Sequence, residues 1–338
     1  MNKLTKIGAS ALCGSLAAIS AANAGDLTVT GGVDMTWTSL KNEVTGNPIG
    51  IGSNLTFKGS GELDNGWTVD LSVAHANANA YSNTNVVVGI PGLGDIRIDQ
   101  GTSGTGMDRL DDVTPSVWEE ADGYGLSSGI VKVAGSSAGS TVEFTPSGTP
   151  DGLTARLAWS PQVGGKNTGD KSGSGTISVV GRSGWDITLT ATSDLIGVEG
   201  LTVQGGISSV DQDVNNSTTS GDNDEKTLAV KYAVGSFTLG YQWSEDDLGT
   251  SSGATQYEMD AYGITFSIND DLSIGYNNIE SEQSNSTNVT AEADSIQLAY
   301  SMGGASFRIA DGNIDNKNYT TGAANSEEAT VISVSLAF

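Results

Sequence analysis

The 338-residue chain contains very little cysteine, histidine and basic charge, and it has no long apolar run. Its single Cys cannot form an internal disulfide, and its single His cannot supply a multi-histidine metal site. No apolar stretch reaches the about 20 residues that a membrane-spanning helix requires. With 15 Lys and Arg against 40 Asp and Glu, the chain would be repelled by phosphate backbones. The composition therefore argues against helical membrane proteins, disulfide scaffolds, most zinc hydrolases and nucleic-acid-binding proteins.

The N-terminal residues have the features of a secretory signal peptide. A basic start at Lys3 and Lys6 precedes a short apolar stretch, and the small residues at 22–24 form a cleavage site. We therefore predict that residues 1–24 are a signal peptide and that residues 25–338 form one exported domain. Cleavage would also remove the only Cys.

Alternation of apolar and polar residues at every second position dominates the rest of the chain, and this period is typical of β-strands. In the first segment, for example, Val33, Met35 and Trp37 share one face, with polar residues between them. The turn signal Asn65-Gly66 joins two such segments into a hairpin. Short and long polar connections alternate along the chain, so successive hairpins end on two chemically different sides.

Two architectures give many antiparallel strands one apolar and one polar face: a soluble sandwich or barrel, and a membrane barrel with its apolar face toward lipid. At about 20 residues per strand and connection, the exported chain gives about 16 strands, more than a soluble barrel normally closes around a packed core. We predict an all-β transmembrane antiparallel β-barrel of about 16 strands, or 18 if residues 129–133 add one. A secreted β protein with a dry apolar centre is the alternative. The aromatic residues that fit placement near the strand ends are Trp37, Trp67, Trp159, Trp185, Tyr232, Trp243, Tyr276 and Phe338.

Four stretches of the sequence share features with one known family. Residues 25–32 have the form of an exported first strand, and residues 331–338 alternate and end in Phe, as an assembly signal does. Residues 92–115 contain a glycine turn and a strand that leads into a long loop, and residues 141–159 form the hairpin that follows. Together they resemble the general (non-specific) porin family of the Gram-negative outer membrane. The resemblance implies a homotrimer of about 16-stranded barrels in outer-membrane lipid, each with an inward-folded third loop.

If the apolar face points to lipid, alternation assigns a set of charged residues to the interior of the barrel. Five acidic and five basic residues lie between outward-facing apolar neighbours. They are Asp34, Lys58, Asp70, Arg97, Asp99, Glu143, Arg156, Asp186, Lys231 and Arg308. In a water-filled barrel these side chains would line the path of solutes, whereas in a soluble sandwich they would be ordinary solvated residues.

Residues 101–139 form a segment that is too long for a simple hairpin connection, and such segments are usually functional. Thr114 followed by Pro115 predicts the start of a helix, with a short helical turn over residues 117–120. We predict that the segment lies inside the barrel as a constriction loop whose acids create a transverse field. The predicted loop acids are Asp108, Asp111, Asp112, Glu119, Glu120 and Asp122, and the predicted wall cations opposite them are Lys58, Arg97 and Arg156.

Further acidic residues are dense in the predicted outer connections, where charge runs favour solvated surfaces. They are Asp211, Asp213, Asp222, Asp224, Glu225, Glu245, Asp246, Asp247, Glu280, Glu282, Glu327 and Glu328. Among them, Asp211 and Asp213 with Asn215 have the alternating oxygen ligands of a calcium loop. Asn216 stands where such a loop needs Gly, so this is a weak calcium candidate.

The sequence contains no recognisable catalytic constellation. His75 is the only imidazole, and spacing ties no Ser or carboxylate to it. The cluster of Gly101, Gly104 and Gly106 lacks the preceding buried strand and the following long helix of a nucleotide-binding loop. We therefore predict neither an enzyme nor a bound cofactor.

The expected function is passive diffusion of small hydrophilic solutes and ions through an outer-membrane channel. The family often has Gly-Arg-Gln after the glycine turn, whereas this chain has Asp99-Gln100-Gly101, so an anion preference is not implied. The loop acids instead predict a mild cation preference. The alternatives are a substrate-selective outer-membrane channel and a secreted or surface β protein that transports nothing.

Overall fold

The computed structural model describes residues 24–41, 45–77, 79–100, 104–124, 126–137, 140–163, 183–212, 218–284 and 288–337. These residues form sixteen antiparallel β-strands in one sheet. The strands are β1 Ala24–Lys41, β2 Ile49–Glu62, β3 Thr68–Ala76, β4 Asn79–Ile90, β5 Gly94–Gln100, β6 Ser140–Pro146, β7 Leu153–Ser160, β8 Gly184–Ala191, β9 Leu201–Val210, β10 Asn223–Val234, β11 Phe237–Asp247, β12 Gln256–Ser267, β13 Leu272–Ser284, β14 Val289–Met302, β15 Ala305–Asp315 and β16 Glu327–Ala337.

The sheet closes on itself. Each strand pairs with its neighbours in sequence, and β1 also pairs with β16 from Gly32 opposite Ala337 to Lys41 opposite Glu328. Every strand in the described part of the chain therefore has two partners. Closure satisfies the backbone N–H and C=O groups that an open edge would leave unpaired.

The alternation of residue types produces an inverted barrel that is apolar outside and largely polar inside, apart from a small buried apolar cluster that includes Met259, Ile279 and Ile314. On β8 the side chains of Trp185 and Ile187 are 44% and 36% exposed, whereas Asp186 between them is 1% exposed. On β11 Tyr241 is exposed, whereas Gln242 is fully buried. Large apolar side chains therefore cover the outside of the barrel, as predicted, and the alternative of a dry apolar centre is wrong.

Tight turns join the strands at one end of the barrel. Between β2 and β3, the Gly66 N–H donates to the Leu63 carbonyl at 2.8 Å, and Gly66 has a φ of +80°, which glycine adopts without strain. The β8–β9 connection contains a four-residue α-helix, Ser193–Ile196, and 3₁₀ turns occur at Gly106–Leu110, Lys317–Tyr319 and Ala323–Asn325. None of the helices in the described ranges is long and apolar enough to cross a membrane.

The strand count of about 16 is confirmed, and the alternative of 18 is wrong for the described residues. Residues 129–133 lie in irregular backbone instead of an extra strand. The first 23 residues, and with them most of the predicted signal peptide, lie outside the described part of the chain, as does Phe338.

Candidate functional site: the polar interior

The connection between β5 and β6 lies against the inward-facing side chains of distant strands. Gln242 Oε1 on β11 accepts from Val113 N at 2.9 Å, and Gln297 Oε1 on β14 accepts from Trp118 N at 3.0 Å. Both glutamines are almost fully buried. Residues 104–124 and 126–137 are here called the inner segment. Backbone N–H groups of this segment thus donate to side chains on the polar face of the sheet.

Two buried carboxylates of the wall hold the last part of the inner segment. Asp186 accepts from Ser136 N at 2.9 Å, and it also accepts from Met107 N at 3.1 Å at the beginning of the segment. Glu225 on β10 accepts from Gly135 N at 2.7 Å. Because Asp186 bridges the two ends, it closes the segment into a loop fixed on β8.

Glycines permit this close approach. Gly106 has a φ of +55°, and a Cβ at this position would overlap Asp186 Oδ2, so no larger residue fits. Its N–H donates to Glu143 Oε2 on β6 at 2.8 Å. The same carboxylate accepts from Arg109, with Nη2 to Oε1 at 2.5 Å. A loop cation therefore pairs with a wall acid, which is a charge arrangement that the sequence reading missed.

Asp108, Asp111 and Asp112, near the start of the inner segment, lie close enough for their negative charges to repel one another. Burial, Asp112 and Asp108 raise the pKa of Asp111 to about 7. Lys132 lies between two of the acids, with Nζ at 3.0 Å from Asp122 and 3.3 Å from Asp112. Burial lowers the pKa of Lys132, but these two carboxylates outweigh it and leave the pKa raised, so the lysine stays charged.

Glu119 and Glu120 lie in the middle of the inner segment. Burial raises the pKa of both, and the neighbouring charge of Glu120 adds to the effect on Glu119. For Glu120 the second cause is Asp112. Both carboxyl groups are partly exposed. The inner segment thus carries titratable negative charge into the interior.

The structure brings three of the predicted wall residues together. Lys58, Asp70 and Arg97 line a cavity of about 480 Å³ on the inner face of β1–β5. Arg97 pairs with Asp99 through Nη2 and Oδ2 at 2.6 Å, and it donates to the carbonyl of Gly104 at 3.1 Å. Ion pairs within the described ranges do not join Lys58, Arg97 or Arg156 to the loop acids.

Arg308 belongs to a second group on the wall. Its guanidinium lies 5.5 Å from the ring centroid of Trp118, and Nη1 is 3.7 Å from Asp34 Oδ2. Trp118 also makes an edge contact with Tyr124, with ring centroids 5.8 Å apart. Lys231, on β10, is exposed and belongs to neither group.

The helical turn predicted after Thr114 and Pro115 is wrong. Residues 111–124 have no helix, and the one helical element of the inner segment is the 3₁₀ turn at Gly106–Leu110. The physical reason is competition for backbone donors. Gln297 accepts from both Val117 N and Trp118 N. The wall thus takes the Trp118 N–H, which would have made the first bond of the helix, to the Thr114 carbonyl.

Several acids predicted in solvated outer connections lie on strands instead. Glu225, Asp246 and Glu327 are buried on the inner face of β10, β11 and β16. Asp246 accepts from Asn223 Nδ2 at 2.5 Å, and Glu327 pairs with a lysine of the β15–β16 connection. Six others lie on outward-facing strand positions: Asp224, Glu245, Asp247, Glu280, Glu282 and Glu328. These strands continue beyond the apolar band.

The weak calcium candidate is untested, because Asp213 and Asn215 lie outside the described residues. Asp211 Oδ2 accepts from Ser183 Oγ at 2.6 Å. Within the described ranges, no three His, Cys, Asp or Glu side chains are already arranged to hold a metal ion. His75 lies on β3 opposite Leu55, on the outward-facing parity of that strand.

Residues 8–336 match the family model described as Gram-negative porin. This chain belongs to the Gram-negative porin family. Three solved structures share its fold: Salmonella typhi OmpF in complex with daunomycin, the anion-selective porin of Comamonas acidovorans, and a trimer form of Vibrio cholerae OmpT. OmpF is 12% identical with a TM-score of 0.67, over 92% of this chain and 97% of OmpF.

The other two structures give similar values. The Comamonas porin is 14% identical with a TM-score of 0.64, and OmpT is 13% identical with a TM-score of 0.63. Each comparison covers 93% of this porin and 99% of the other chain. The comparison with curated proteins gives no match. The resemblance found in the sequence is confirmed, and the protein is an outer-membrane porin.

Proposed function

We propose that this porin is a water-filled channel for the passive diffusion of small hydrophilic solutes and ions. The observation that carries the proposal is the inversion of the barrel, with exposed apolar side chains outside and polar side chains inside. Lipid suits the outer face, and water suits the inner one. The inner segment reduces the free cross-section, so its packing against the wall would set the size of solutes that pass.

A mild cation preference follows from the charges of the inner segment. Its described residues carry six acids and two bases, Arg109 and Lys132. The predicted wall charges are balanced between five acids and five bases. In a narrow aqueous passage with low-dielectric walls, an excess of fixed negative charge raises the local concentration of cations.

We also propose a homotrimer that resides in outer-membrane lipid after removal of the signal peptide near Ala24. Vibrio cholerae OmpT, which shares the fold, has been solved in a trimer form. The apolar band around the exterior is compatible with both lipid and subunit contacts. No catalytic role is proposed.

The experiment is a planar-bilayer recording with a tenfold KCl gradient. We expect conductance in triplet steps and a reversal potential of the sign that indicates cation preference. The variant D111N/E120Q should shift the reversal potential toward zero, whereas D194N/E199Q removes the same charge from the β8–β9 turn and should not. An anion-preferring potential would contradict the charge assignment. Saturation by a single solute would favour a substrate-selective channel, and absence of conductance would refute transport.

A further inference from the structure

The outer face of β12–β15 changes from apolar to acidic toward the ends that carry the long connections. Strand register places Asp260, Glu280, Glu292 and Asp315 directly opposite one another on these four adjacent strands. Neighbouring strands are about 4.8 Å apart, so the four carboxylates form a continuous row. Like charges directly opposite one another destabilise a sheet unless a counter-charge joins them.

A second acidic row lies one step further along the same face, formed by Glu245, Glu258 and Glu282 on β11–β13. Among the described residues, one ion pair reaches the two rows, from Lys226 Nζ to Glu245 at 2.9 Å. Trp243 Nε1 donates to Glu258 at 2.9 Å. Neutral donors of this kind orient a carboxylate but do not neutralise it, so most of the negative charge in the two rows is uncompensated.

The side-chain amide of Asn278, next to the first acidic row, has an unpaired oxygen, which is a second and independent observation. It lies on the outer face of β13, opposite Tyr262 and Asp294, and it is 1% exposed. Its Nδ2 donates to Glu292 Oε1 at 2.9 Å, while its Oδ1 is buried without a hydrogen-bond partner. Rotating the amide by 180° would put Oδ1 against the Glu292 carboxylate. The oxygen therefore stays a buried acceptor without a partner beside the acidic row, and such a group is satisfied by a hydrogen-bond donor or by a cation.

We propose that this outer face binds a divalent cation, with Asn278 Oδ1 and the carboxylates of Glu280, Glu292 and Asp294 as protein ligands. All four are hard oxygen donors, and Ca²⁺ accepts such ligands in flexible geometry, whereas Mg²⁺ demands a near-ideal octahedron. Ca²⁺ should therefore bind more tightly than Mg²⁺. The site lies outside the barrel, so it is separate from the proposed channel.

The carboxylate ligands must be drawn together by the cation when it binds. No three acidic side chains in the described part of the chain already converge on one point. Glu280 and Glu292 are long and exposed, so their side chains can rotate toward the fixed Asn278 oxygen. Ordering two side chains costs conformational entropy, which places the expected dissociation constant at about 10⁻⁴ to 10⁻³ M, as in extracellular calcium modules.

Nearby aromatic side chains provide a direct readout. Tyr262 and Tyr276 lie next to Asn278 on the outer face, with ring centroids 6.5 Å apart. Terbium replaces calcium at oxygen sites and emits when an adjacent aromatic ring transfers excitation to it. We therefore expect tyrosine-sensitised terbium luminescence from the purified full-length porin in detergent, and competition by Ca²⁺ at about millimolar concentration.

The test compares two variants with a charge-matched control. E280Q/E292Q should weaken terbium and Ca²⁺ binding at least tenfold, whereas D194N/E199Q should leave it unchanged. N278L keeps every carboxylate but removes the orphan oxygen, together with the amide nitrogen that donates to Glu292. It should also weaken binding severalfold, and it provides a test if E280Q/E292Q does not fold. Conductance should be the same in all four proteins, which separates this proposal from the channel.

Two results would overturn the site. One is a terbium titration of E280Q/E292Q or N278L that superimposes on that of D194N/E199Q. The other is absence of saturable binding to the wild-type porin up to about 10 mM Ca²⁺. Loss of conductance with intact cation binding would instead refute only the channel.

Discussion

Asp186→Ala should release both ends of the inner segment without opening the barrel. The carboxylate accepts from two backbone amides, Met107 N and Ser136 N, and from the Ser136 hydroxyl. The hydroxyl can turn to another acceptor, but the two amides would be left buried without partners. Each orphaned donor costs about 1–3 kcal/mol, so the gross cost is about 2–6 kcal/mol.

The net effect lies at the lower end of that range. Asp186 is itself 1% exposed, and its removal relieves the desolvation of a buried carboxylate. A net loss of about 2 kcal/mol would raise the detached fraction of the inner segment about 30-fold. Strand β8 keeps its ladder with β7 and β9, because alanine fits a strand position and the ladder uses only backbone groups.

Amide hydrogen exchange on the folded barrel measures this release locally. We expect faster exchange in residues 104–110 and 133–137 of Asp186→Ala, unchanged exchange in β8, and larger current fluctuations in bilayers. Asp186→Asn keeps one acceptor oxygen and should show an intermediate effect, and Asp194→Ala on the β8–β9 turn should show none. Unchanged protection in both segments of Asp186→Ala would refute the argument, as would loss of protection throughout β8.

Two further predictions concern the inner segment. Asp111 has a raised pKa of about 7, so it gains a proton as the pH falls from 8 to 6, and the cation preference should weaken across that interval. D111N should lack this part of the pH dependence, and an identical pH profile in the variant would contradict the assignment. W118A removes the ring that contacts Arg308 and Tyr124, contacts worth about 0.5–1.5 kcal/mol each. We expect higher conductance and faster entry of larger neutral sugars in a liposome-swelling assay, and unchanged sugar rates would show that this ring does not limit the passage.

The wall could be predicted residue by residue because strand alternation is strictly local. Asp186 lies between Trp185 and Ile187, and this spacing alone puts it on the face opposite the apolar side chains. The same rule could also have found Gln242, which lies between Tyr241 and Trp243. Its position is therefore predictable, but an uncharged side chain carries no charge signal that would single it out as a site residue.

The contacts of the inner segment could not be predicted in the same way. Met107 and Asp186 are 79 residues apart, and Val117 and Gln297 are 180 apart. Local signals around Pro115 favour a helical turn, but the backbone N–H of Trp118 donates to the side-chain amide of Gln297 on β14 instead. Tertiary competition overrode a valid local preference.

The density of acidic residues predicts the wrong location for Glu225 and Asp246, again because tertiary contacts decide it. Glu225 and Asp246 resemble residues of a solvated connection, because dense acids are typical of loops. The strands extend past the apolar band, and there the inward carboxylates are held by backbone amides of the inner segment or by Asn223. Which acids are buried depends on what packs over them.

The sequence alone predicted a closed antiparallel sheet with an apolar exterior and left a β protein with a dry apolar centre as the alternative. A two-residue period gives every strand two unlike faces but does not fix which face points outward. The sequence also predicted ten charged residues of the wall, but it placed Glu225, Asp246 and Glu327 of the inner face in outer connections. Only the tertiary structure decided how the inner segment is fastened, which acids pair with cations and which stay buried. Those outcomes depend on distances between residues that are remote in the chain and that strand closure alone brings within hydrogen-bonding reach.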